Sequence, residues 1–217
     1  MLKTGRSRLW TAFLVGLFAG EVWASPIQIT VDTSSLFGTA ANLAFDFIDG
    51  GPPSNSVTIF GFTSDGTLGD ACVTHDLVTC DPAPKLTDGT GIVTIDDSVF
   101  SFTEYRQSIT LGNSFSFRFD TTGNPADTGT GSSPDGFSFF LLDQDAVFSL
   151  VPGVDALFLY SIGAPEPLQV FTQLVQASEV PTGAPEPGAL ALAMAGLLGL
   201  GLVRAANKNF TRPRRFA

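Results

Sequence analysis

The chain is predicted to fold as an antiparallel β-sandwich or jelly roll over residues 25–180, and three observations predict it. Apolar and polar residues alternate in short runs; Gly, Asp, Asn, Pro and Ser divide those runs; no stretch between the two ends carries the spacing of an amphipathic helix. Many short strands joined by turn-rich loops bury their apolar sides by packing sheet on sheet.

In chain order, Ile27, Ile29 and Val31 alternate first, then Leu43, Phe45 and Phe47. Val57 and Ile59 mark a third run, with Phe60 and Phe62 expected on its opposite face. Further strands are expected over 91–95, 98–105, 108–111 and 114–120, the last presenting Phe115, Phe117 and Phe119 on one side. Four more follow over 136–142, 146–150, 156–162 and 168–175. The run 136–142 is apolar on both faces after its first residues, so it is expected inside a sheet and covered on each side. The phenylalanines read as core, because aromatic and β-branched side chains suit a half-buried pleated surface.

The two ends have a different character. Lys3, Arg6 and Arg8 precede an apolar stretch over 9–20, and Val22-Trp23-Ala24 supplies a small residue before Ser25. These are the three regions of a secretory signal peptide, residues 1–24, cut between Ala24 and Ser25. At the other end, Pro185-Glu186-Pro187-Gly188 leads into an uncharged apolar run ending at Val203, followed by Arg204, Lys208, Arg212, Arg214 and Arg215. Taken as a helix, 188–203 spans about 24 Å at about 1.5 Å per residue, somewhat less than a hydrocarbon core of about 30 Å. The basic tail, 204–217, makes up the difference by snorkelling and holds the end of the chain on the cytoplasmic side.

Motif, short membrane helix and Arg-rich tail, in that order, closely resemble the PEP-CTERM sorting signal of Gram-negative bacterial surface proteins. The resemblance covers 185–215 within a sorting segment of 181–217. It implies an exosortase-type processing enzyme acting near Pro185, Glu186, Pro187 and Gly188, a single-pass precursor in the inner membrane, and delivery to the cell surface or extracellular matrix. A second copy, Pro165-Glu166-Pro167, is followed by an alternating, strand-like run without a basic tail and is not expected to be processed. The stretches Asn42-Leu43-Ala44-Phe45-Asp46-Phe47-Ile48-Asp49-Gly50 and Val57-Thr58-Ile59-Phe60-Gly61-Phe62 also look like the exported domains of a group of PEP-CTERM proteins. That likeness implies the β fold and no mechanism.

Charge narrows the partners. The net charge of the whole chain is −10, yet residues 25–187 hold only Lys85, Arg106 and Arg118 against twenty acids, a net −17. Such a segment repels nucleic acid and anionic membrane surfaces and favours divalent cations or cationic partners. Cys72 and Cys80 lie in the exported part, where thiols oxidise. A disulfide is expected to close the short loop between them, worth about 2–3 kcal/mol in chain entropy.

Catalytic signatures are missing from the sequence: it has no Gly-x-Ser-x-Gly elbow, phosphate loop or His-Glu-x-x-His helix. The lone His75 sits in the disulfide loop and reads as a loop residue. No enzymatic activity and no required cofactor are expected. Calcium is the one ion the sequence invites: Asp120, Asn124, Asp127 and Asp135 lie in or beside one long connection between apolar strands, and hard oxygens on such a loop suit that cation. Asp135-Gly136-Phe137-Ser138-Phe139-Phe140 is also similar to the Asp-Gly strand of legume-type lectins, in which the Asp helps hold a sugar near calcium. Asp120-Thr121-Thr122-Gly123-Asn124 resembles a lectin metal loop, although it precedes that strand and Arg118 stands where an acid is expected. The expectation is a non-enzymatic surface or matrix protein associated with exopolysaccharide. A calcium-dependent lectin-like module is the alternative, and a carboxylate-dependent glycan hydrolase the distant one.

Overall fold

A computed structural model describes residues 25–76, 78–87, 89–123 and 133–180. The expected signal peptide through Ala24, the sorting segment 181–217 with its motif, helix and basic tail, and the calcium candidates Asn124 and Asp127 lie outside them. Among the described residues no helix is long and apolar enough to cross a membrane. The only helical element there is a 3-10 turn at Ser34–Leu36.

Alternation builds the strands, as expected. In chain order they are β1 (Ile27–Asp32), β2 (Ala40–Ile48), β3 (Ser56–Ser64), β4 (Thr67–Thr74), β5 (Asp81–Pro82), β6 (Val93–Asp96), β7 (Phe102–Thr110), β8 (Ser114–Thr121), β9 (Gly136–Asp143), β10 (Phe158–Ser161), β11 (Leu168–Val170) and β12 (Val175–Glu179). They form two antiparallel sheets, ordered β12-β1-β8-β3-β6 and β11-β10-β9-β2-β7-β4-β5. The fold is an all-β sandwich. Its core lies where β2 and β9 of the larger sheet face β8 of the smaller one. Phe45 meets Phe117 edge-on at 5.1 Å between ring centroids, Phe119 meets Phe137 at 5.0 Å, and Phe117 meets Phe139 at 5.3 Å. Aromatic pairs of this kind add about 0.5–1.5 kcal/mol each beyond the area they bury. β9 lies inside a sheet as expected, between β10 and β2, but it is not covered on both faces: Phe137, Phe139 and Leu141 are buried, whereas Phe140 and Leu142 are half-buried on the outward face.

Several expectations need correction. Phe62 is fully buried, on the same side as Val57 and Ile59. A bulge between Phe60 and Thr63, with Gly61 at φ +60°, inserts one residue and turns Phe62 back to the core. The runs 98–105 and 108–111 are one strand, β7, and 168–175 splits into β11 and the start of β12. The run 146–150 is a turn segment touching β9 through a single bridge, Leu142 to Ser149. No strand was expected over 67–74, where β4 forms. Its weakly β-forming sequence is held by β7 on one side, and the expected Cys72–Cys80 disulfide ties it to β5, with the two Cα atoms 5.3 Å apart. Pro165-Glu166-Pro167 lies in the connection between β10 and β11, where Ser161 N donates to Pro167 O at 2.7 Å.

Candidate functional site

Three connections cross between the sheets at one end of the sandwich, and each carries an aspartate. Asp49 follows β2 on the way to β3, Asp97 follows β6 on the way to β7, and Asp135 precedes β9 at the end of the connection from β8. Carboxylate oxygens of these three residues lie within 4.8 Å of one another. Asp97 and Asp135 are buried, at 8% and 3% exposure, and Asp49 is the more accessible.

Neutral donors orient the carboxylates. Gly50 N donates to Asp135 Oδ1 at 2.7 Å, and Gly51 N to Asp49 Oδ1 at 2.6 Å. Asn55 acts as a hub: its backbone N donates to Asp97 Oδ1 at 2.9 Å and its Nδ2 to Asp135 Oδ2 at 2.6 Å, while its Oδ1 accepts from Thr122 Oγ1 at 2.8 Å. The close approach depends on Gly50, where an added Cβ would lie 2.1 Å from Ser133 O. Asp97 Oδ2 is buried and has no hydrogen-bond partner. Burial raises the Asp97 pKa above the ordinary carboxylate value, against the Asn55 N–H; the charge of Asp135, a side-chain hydrogen bond with it and the charge of Asp49 also push it up. Among the described residues no lysine, arginine or histidine joins the group. Lys85 pairs with Asp70, Arg106 with Glu104, Arg118 donates to Gln28, and His75 contacts Thr103 and stacks on Phe100.

A second acidic group lies on the outward face of the larger sheet. Strand alternation that sends Phe45 and Phe47 inward sends Asp46 outward, directly across from Glu104 on β7. The two carboxyl groups share a hydrogen bond, and Arg106 Nη2 donates to Glu104 Oε1. Burial, then the charge of Glu104, then the hydrogen bond to it raise the Asp46 pKa, to about 8, against the pull of Arg106. The groove above them is lined by Phe140, Leu142, Val147, Ser149 and Asp155. Direct contact makes this pair closer than the separations of about 5 Å or more used by retaining and inverting glycosidases.

Of the four residues expected to bind calcium, the structure brings Asp135 into an oxygen cluster. Asp120 lies on β8, where its charge acts on Tyr160. Asp49, Asn55 and Asp97 were missed by sequence reasoning. Their one-dimensional signal is slight: Asp49 and Asp97 each stand at the end of an alternating run. No family model, no curated protein and no solved structure matches the chain.

Proposed function

We propose that the chain is an exported, non-enzymatic surface or matrix protein, sorted by an exosortase-type enzyme and associated with exopolysaccharide. One observation carries this reading: β1 and β12 are hydrogen-bonded neighbours, with Ile27 opposite Glu179, so the folded domain begins just after the expected cut at Ala24–Ser25 and closes just before Pro185. Both tags therefore leave from the same end of the sandwich, and removal of either spares every strand. The Cys72–Cys80 disulfide supports passage through an oxidising compartment. The finer jelly-roll description, the signal peptide and the C-terminal helix belong to the same proposal.

A lectin-like module is the second reading, favoured by the place of Asp135 among convergent carboxylates. Binding to polysaccharide abolished by a chelator would select it.

The first reading is tested by the intact mass and terminal peptides of the protein recovered from its native cell envelope. A chain from Ser25 to within 185–188 is expected. Retention of sequence through Ala217 would refute processing.

A further inference from the structure

We propose that Asp49, Asp97 and Asp135 hold a calcium ion that ties together three connections between the sheets. The inference is independent of export and of sorting, and of the four residues that the sequence first suggested it uses only Asp135.

Four carboxylate oxygens of the group are fixed by N–H donors, and these donors leave the site's charge untouched. The fifth, Asp97 Oδ2, belongs to a side chain more than nine-tenths buried and has no partner. A buried carboxylate oxygen left this way carries a desolvation cost that a neighbour must relieve. No cationic side chain among the described residues does so. Two species remain that can relieve it. A proton held between Asp97 and Asp135 would remove one charge of three and leave two carboxylates in contact. A divalent cation would remove two and give Asp97 Oδ2 a ligand bond.

The donor set identifies the cation class. All ligands offered are hard carboxylate oxygens, with no imidazole or thiolate in the group, which disfavours zinc and copper. Oxygens about 2.3–2.6 Å from a shared calcium lie no more than about 5 Å apart. The three oxygens lie within 4.8 Å of one another, inside that span, and a cluster of protein carboxylates suits calcium better than magnesium, which keeps several of its waters. The accessible Asp49 side leaves room for the water ligands that complete a calcium shell.

The test is calcium titration of the chelated full chain in mild detergent, read by isothermal calorimetry and by the thermal midpoint. One ion per chain is expected, with a dissociation constant in the micromolar to millimolar range, and a higher midpoint in calcium than in chelator. Asp97→Asn keeps an acceptor for Asn55 N and removes the charge. It should weaken calcium binding by about tenfold or more, while its midpoint in chelator equals or exceeds that of the parent chain. Asp120→Asn should leave binding unchanged. The proposal is overturned by any of three results: no heat and no midpoint shift up to about 10 mM calcium, well above the usual extracellular range; binding that survives Asp97→Asn; or binding lost with Asp120→Asn. An equal shift from magnesium would overturn the choice of calcium.

Discussion

Asp46 and Asp49 are near neighbours in sequence, one on β2 and one just beyond it, yet they belong to acidic groups of opposite design. Asp46 sits with Glu104 and Arg106. Two acids and one guanidinium come close to neutrality once a single proton is kept, and the raised Asp46 pKa is that proton. Asp49 sits with Asp97 and Asp135, and its surroundings supply amides but no positive charge. The first group carries its own counter-ion, although Asp46 Oδ1 and Arg106 Nε are buried without hydrogen-bond partners. The second has no counter-ion among the described residues, and the proposed calcium would supply one. Burial of like charges therefore has two outcomes in one domain, decided by whether topology brings a basic side chain to the spot.

The contrast breaks most visibly at Arg106. Arg106→Met leaves Glu104, which is almost fully buried, beside Asp46 without its counter-ion, and removing one partner of a buried pair costs about 3 kcal/mol or more. Urea midpoints at neutral pH should show this loss, and added calcium should not repair it. A smaller effect is expected from Gly50→Ala. The new methyl would strike the Ser133 and Pro134 carbonyl oxygens, costing about 1–3 kcal/mol and blunting the calcium response. The Asp46 titration should survive that change.

The smallest effect sharpens the comparison through pH. The Asp46 pKa is raised in the folded chain, so its contribution to stability is complete below the ordinary carboxylate value of 3.8 and is lost as pH rises toward about 8. Glu104 across the strand pair, Arg106 and Asp155 are the charged groups that face it. Asp46→Asn should flatten this decline and leave the variant more stable than the parent at pH 8. Chemical denaturation at pH 5 and pH 8 measures it; a parallel decline in both chains would mean that another group titrates.

The strands that sequence revealed are those with strong alternation. Phe115, Phe117 and Phe119 announce β8 because each faces the core and its neighbours do not. β4 was invisible because Gly69, Asp70 and Ala71 interrupt its pattern at a bulge, and its partners supply the order. Phe62 was assigned to the wrong face because period two counts residues, whereas Gly61 adds one that the ladder skips. The carboxylate cluster was legible only through Asp135. Asp49 and Asp97 lie far from it in sequence, and only the three crossings bring them together. Asp46 and Glu104 were hidden for the same reason: register sets them opposite each other.

The pairing of β12 with β1 also has a mechanical meaning. β12 is the outermost strand of its sheet, joined to β1 through five paired positions from Ile27–Glu179 to Val31–Val175, with Val180 N bonded to Pro26 O at the exit. Any pull transmitted through residue 181 enters the domain along this strand. Tension directed along the strand axis is shared by all the rungs in shear; tension directed away from the sheet opens the Val180 rung first and the others in turn. A domain tethered in this way resists drag along its length and peels under a sideways load.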